Sequence, residues 1–211
     1  MSIWTGKDGY NASKEFVDRT EIALVGGKHS SGHANLLDHD GGPHKDNDEA
    51  VSWVKSKLND PQDVLEIGCG YGRWSKTLEG MYQTYTGIDV TSKRIKYAKK
   101  KYKRPNVKFL LVKQNWNLAR KYDVILCLKV IQHLVMEDAI LVLQQINNHL
   151  SEDGMALLHE KDLGYFDEAT AEKIYSQEDW PCHMIPKPIA LLQTAVPELK
   201  WREDKHFILT K

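Results

Sequence analysis

The residues of this chain best placed to do chemistry lie in VLEIGCGYGRW, from Val64 to Trp74. An apolar run enters Gly68, Gly70 and Gly72, and a helical pattern begins at Arg73. Glycines at that spacing permit a tight turn and let the backbone approach a ligand closely. Asp89 closes the next apolar run, TGIDV, 19 positions after Gly70. A carboxylate there can accept both hydroxyls of a ribose, at the spacing of about 20 residues found in nucleoside-binding α/β folds. A tight turn plus a surface acid is the plainer alternative; the strand–loop–helix context argues against it.

Two departures separate this loop from a dinucleotide site. The fingerprint GxGxxG uses its third glycine for close strand–helix packing. Here the loop reads GCGYGR, so that position holds Arg73 and the third glycine comes one residue early. Glu66 stands two residues before the loop, where a carboxylate repels a pyrophosphate and suits an ammonium group. Both features disfavour a nicotinamide or flavin dinucleotide. They favour S-adenosylmethionine (SAM), which has an amino-acid end and no phosphate. A cap on nearby backbone amides is an equal alternative for Glu66.

The elements that must position these residues follow a regular alternation from about residue 46. The pattern predicts helices over 46–58, 73–78, 91–102 and 136–150, and strands over 63–67, 85–90, 107–112, 122–128 and 155–159. Ser151–Gly154 reads as a turn. The tail carries a helix near 188–195 and strand-like pieces at 200–203 and 206–210. Strands alternating with helices at this spacing indicate a parallel α/β sheet. Residues 1–45 differ in texture, rich in Gly, His, Asp and Ser. There, Asn11 or Ser13 caps an expected helix through KEFVDRTEIALV, which Gly26 and Gly27 end.

With 211 residues the chain is long enough for one domain with its own core. Lys+Arg and Asp+Glu balance at 29 each, so no global field draws it to nucleic acid or an anionic membrane. No apolar run reaches the roughly 18–20 residues of a membrane span, and the N-terminus lacks a signal-peptide pattern. Cys69, Cys127 and Cys182 offer neither a disulfide framework nor a CxxC metal pair; a cytoplasmic location is the expectation. His29, His33, His39 and His44 match no zinc spacing, and no metal is expected. The basic run KRIKYAKKKYKR, 93–104, is expected to be the solvated face of a surface helix, with phosphate binding as its alternative.

The chain resembles the class I SAM-dependent methyltransferases from about Asp46 to Lys211. VLEIGCGYG is similar to that family's first motif, GIDV to its second and YDVILCLKVIQHL to its fourth. LSEDGMALLHE is similar to the turn and strand that follow, and HFILTK to the final antiparallel strand. The resemblance implies a doubly wound, mostly parallel seven-stranded sheet of order 3-2-1-4-5-7-6. It implies a methyltransferase domain at 46–211, with residues 1–45 as an N-terminal helical lid that includes Trp4 and Tyr10. It assigns the methionine part of SAM to Gly68, Cys69, Gly70 and Gly72, with Glu66 beside them. Asp89 takes the ribose, Val90 packs on the adenine, and Leu128 completes the cofactor set. S-adenosylhomocysteine is the implied product. Lys113 stands where the family usually has an acid for the adenine amino group, so Gln114 or Asn115 is expected to accept that hydrogen bond.

Lys129 and His133 flank the implied methyl-transfer position. His133 suits a general base, although a packed or capping role is the simpler one. Lys129 suits a substrate carboxylate or phosphate, or else solvent at the rim. The function expected is methyl transfer to a small-molecule acceptor. The alternatives are a protein or RNA methyltransferase, and a regulatory or scaffold protein on the same fold.

Overall fold

The structure, a computed structural model, describes residues 48–113, 116–160, 163–165, 167–175 and 185–211. The expected lid helix, Trp4, Tyr10, Cys182, the four N-terminal histidines, Gln114 and Asn115 lie outside the described residues. The described residues fall into two compact units, one up to Lys113 and one from Trp116 onward.

In the first unit, α1 (Asp48–Lys57) precedes β1 (Gln62–Ile67), α2 (Arg73–Thr77), β2 (Tyr82–Asp89), α3 (Ser92–Lys101) and β3 (Val107–Leu111). β1 pairs in parallel with β2, and β2 with β3. Val64, Leu65, Tyr85 and Ile88 are buried, as a parallel strand covered on both faces requires. α3 turns Ile95 and Ala98 inward. β2 begins three residues before the expected start at Tyr85: Tyr82 is buried, and its hydroxyl donates to Ser75 O at 2.7 Å, extending the strand past the polar pair Gln83-Thr84.

In the second unit, β4 (Tyr122–Leu128) leads through a 3-10 turn (Ile131–His133) into α4 (Met136–His149) and β5 (Leu150–His159). There follow β6 (Leu163–Gly164), α5 (Glu168–Tyr175), β7 (Lys187–Pro188), α6 (Ile189–Ala195), β8 (Lys200–Asp204) and β9 (His206–Thr210). β4 and β5 are parallel; β9 pairs antiparallel with both β5 and β8. The expected turn Ser151–Gly154 is instead part of β5. Its residues are taken up as a register shift, Tyr122 opposing Leu150 and Val124 opposing Met155. α4 buries Ala139, Leu143 and Ile146.

The main sheet has seven strands in the order β3-β2-β1-β4-β5-β9-β8. Counting only its own strands along the chain, this is the expected 3-2-1-4-5-7-6. The separate pair β6-β7 was not foreseen.

Candidate cofactor and acceptor sites

The glycine turn is built by backbone geometry. Gly68, Gly70 and Gly72 have φ of 67°, 53° and 80°, the left-handed region that side chains resist. Gly72 is also the N-cap of α2. A Cβ there would sit 2.6 Å from the Phe109 ring and 3.0 Å from Ala98 Cβ, so Gly72 provides the close packing that a dinucleotide loop assigns to its third glycine. At Gly70 an added Cβ meets nothing within 4 Å among the described residues.

Asp89 ends β2 and is buried. Its Oδ2 accepts from Gly70 N at 2.9 Å and its Oδ1 from Thr91 N at 2.8 Å. One carboxylate thus ties the glycine turn to the entrance of α3. Each oxygen has a lone pair left over, enough for one ribose hydroxyl apiece. Arg94 Nη1 stands 3.9 Å from Oδ2, and its guanidinium lies 5.7 Å from the Tyr71 ring centroid. Among the described residues Thr91 Oγ1 is buried without a hydrogen-bond partner, although Thr91 is the N-cap of α3. Val90 and Leu111, at the ends of β2 and β3, are 48% and 53% exposed.

Glu66 is buried on β1 and accepts a hydrogen bond from the Tyr85 hydroxyl. Burial pushes its pKa up to about 7, with the Tyr85 hydrogen bond and the Arg73 charge pulling the other way. The Cys69 thiol is also pushed up, chiefly by burial and next by Glu66. It is therefore a poor nucleophile.

In the second unit, Lys129 follows β4 with φ of 59°, and its N–H donates to His159 O at 2.7 Å. His133 ends the 3-10 turn, is buried, and meets the Gln132 amide at 3.1 Å between their Nε2 atoms. That contact accords with the packed role. Leu128 is half-buried at the end of β4.

Sequence reasoning missed Glu160, the residue that organises this segment. It lies just past β5 and is buried. Its Oε1 accepts from Val130 N at 2.9 Å and Ile131 N at 3.1 Å, and its Oε2 from Gln132 N at 3.1 Å. A side chain from the neighbouring strand thus caps the turn between Lys129 and His133. Burial raises the Glu160 pKa to about 7, opposed by the three amides and by the Lys187 charge. Lys187 is fully buried and donates to Ile185 O at 2.8 Å, while Ile185 N donates to Gln132 O at 2.8 Å. The signal available beforehand was an acid closing an apolar run in LLHE.

The strand order, the left-handed glycine turn and the acid at the end of β2 define a class I nucleoside-binding α/β fold. Residues 65–156 match the family model described as a methyltransferase domain. The ubiquinone biosynthesis O-methyltransferase of Actinobacillus pleuropneumoniae serotype 5b is 27% identical over 116 residues, 50% of this chain and 49% of that protein. The chain spans about half the length of the curated relatives it matches. Among solved structures, DhpI in its complex with SAM and HEP aligns with a TM-score of 0.62 at 14% identity, over 94% of each chain. Coclaurine N-methyltransferase, bound to N-methylheliamine and SAH, aligns with a TM-score of 0.55 at 18% identity, over 74% of this chain and 49% of its own. These two likenesses concern the fold. The chain has the fold of the class I, Rossmann-like, SAM-dependent methyltransferases, and its residues 65–156 match a methyltransferase domain.

The first unit fits the adenosyl part of that family's cofactor. Exposed apolar Val90 and Leu111 offer a surface for the adenine, Asp89 keeps acceptor capacity for the ribose, and Thr91 Oγ1 is a buried polar atom with a hydrogen bond still to make.

Proposed function

We propose that this chain transfers a methyl group from SAM to a small-molecule nucleophile. One observation carries the reading: the left-handed glycine turn tied by Gly70 N to the buried Asp89 carboxylate. SAM supplies an electrophilic methyl on a sulfonium. The protein's share is then to bind, orient and exclude water rather than to supply covalent chemistry. Gly68, Cys69, Gly70 and Gly72 hold the amino-acid end, with Glu66 near its ammonium. Asp89 holds the ribose and Val90 the adenine; Gln114 or Asn115 meets the adenine amino group. Lys129 and His133 lie on the acceptor side, Lys129 to pair with an anionic group of the acceptor and His133 to hold the turn. An acceptor of low molecular weight accords with the name of the Actinobacillus relative, a ubiquinone biosynthesis O-methyltransferase.

A nucleic acid acceptor is the second reading, favoured by the single-sign lysine face of α3. The test is a screen with methyl-labelled SAM over phenols, amines, carboxylates, RNA and DNA. Label in a phenol, amine or carboxylate supports the first reading. Label in RNA or DNA replaces it with the second, and label in none of them counts against methyl transfer.

A further inference from the structure

From Val90 to Lys121 the sequence has no Asp or Glu, while twelve of its 29 Lys and Arg residues fall there. A chain of zero net charge therefore concentrates positive charge in one segment. In the first unit much of that segment is α3 and the turn after it. Ile95, Ala98 and Tyr102 are buried, while Lys96, Lys99, Lys100 and Lys103 are exposed. Lysines 96, 99 and 100 stand at i, i+3 and i+4, one face of the helix, and Lys103 continues the row just past its end.

An ordinary solvated face mixes both signs, and i,i+4 acids relieve the repulsion. Here Lys96 stands four residues from Lys100, and Lys99 four from Lys103, with no acid between. Arg94 and Arg104 do have carboxylates nearby: Arg94 reaches Asp89 at 3.9 Å, and Arg104 reaches Glu79 at 3.2 Å. Among the described residues, none of the four lysines is in an ion pair. The helix dipole accounts for Lys99, Lys100 and Lys101 in the last turn, but it works against Lys93 and Arg94 in the first.

We propose that this lysine face docks the phosphate backbone of nucleic acid, without reading base sequence. Four ammonium groups in a row can replace the counterions of a polyphosphate strand. The apolar stripe of α3 is spent on the core, so the helix has no face left to sink into a bilayer interface. It exposes no aromatic ring for base stacking either, Tyr102 being buried and Tyr97 half-buried against Tyr71. Backbone contact is what remains. The inference does not rest on methyl transfer, because the lysines can hold phosphates whether or not SAM binds.

The experiment is fluorescence anisotropy of the full chain with a labelled mixed-sequence RNA strand and the matching DNA duplex, across about 50–200 mM salt. Anionic phosphatidylglycerol vesicles are the comparison. The expected result is RNA binding that weakens with salt, with a log–log slope near −3 if about four phosphates are contacted on a single strand. The combined variant Lys96→Gln, Lys99→Gln, Lys100→Gln, Lys103→Gln loses at least about tenfold in affinity and most of that slope. All four positions are exposed, so its urea midpoint stays at the wild-type value. No RNA or DNA binding at low salt would overturn the proposal. So would a folded variant that binds as tightly as wild type, or vesicle binding in place of nucleic acid binding.

Discussion

Among the described residues three carboxylates are buried, each held in a different way. Asp89 is committed to two backbone amides and keeps capacity for two hydroxyls. Replacing it with Ala leaves Gly70 N and Thr91 N without their partner. We expect SAM affinity to fall at least about a hundredfold, roughly the cost of two lost charge-assisted hydrogen bonds, as read by calorimetry. Glu66 and Glu160 are held near pKa 7 by burial. Both rise from an ordinary value of 4.5, so the folded state binds more protons than the unfolded state between about pH 4.5 and 7. Their contribution to stability is therefore complete below about 4.5 and is lost as pH climbs to about 7. Urea midpoints are expected to fall over that window. In Glu160→Gln the fall is smaller, because Gln does not titrate. At pH 5 that variant is less stable by about 1–3 kcal/mol, since the Gln NH2 must confront one of the three amide donors. A pH profile of urea midpoints for both proteins checks both statements.

At the scale of elements, the turn between β1 and α2 separates two demands made on glycine. Gly72 answers to packing: its missing Cβ makes room for Phe109. Gly72→Ala combines left-handed strain with overpacking, and we expect a loss of about 2–4 kcal/mol. Gly70 is the position proposed to answer to the ligand, since among the described residues an added Cβ meets nothing and only the backbone strain is added. Gly70→Ala is expected to cost about 1–2 kcal/mol of stability yet to weaken SAM binding more than that strain accounts for. Denaturation and calorimetry on the two variants separate the roles. Equal stability losses would show that the contrast drawn from the Cβ positions is wrong. In the second unit, a loop residue with φ of 59°, Lys129, is followed by amides that converge on a single carboxylate. This is how a strand end becomes a fixed turn without a glycine.

For the whole molecule, the strands of the main sheet were legible because each is bounded by a change of period, while their order came from the resemblance to the methyltransferase family. β4 and β9 have the ends the sequence indicates, Tyr122–Leu128 and His206–Thr210. The site was legible where its residues are neighbours in sequence, as in Gly68–Gly72, or at a fixed crossover distance, as with Asp89. It was not legible where partners are set by packing alone. Glu160 caps amides 28–30 residues before it, and Lys187 reaches the same network from further along the chain. The acid that closes LLHE marks Glu160 without naming the amides it caps, and nothing local in MIPKP announces Lys187. The strand β5 absorbed a Ser-Glu-Asp-Gly turn because the register shift against β4 accommodates the extra residues, which turn chemistry alone cannot reveal. A ligand that binds the folded chain alone also stabilises it. SAM at about a hundred times its dissociation constant is expected to add about 2.7 kcal/mol, visible as a raised midpoint in thermal melts.

The central claim is that this chain holds SAM through its glycine turn and Asp89. Calorimetric titration of the purified protein with SAM, S-adenosylhomocysteine and NAD tests it most directly. Micromolar binding of the first two, about −8 kcal/mol, and no binding of NAD are expected. Binding of NAD, or silence with both sulfur nucleosides, would contradict it.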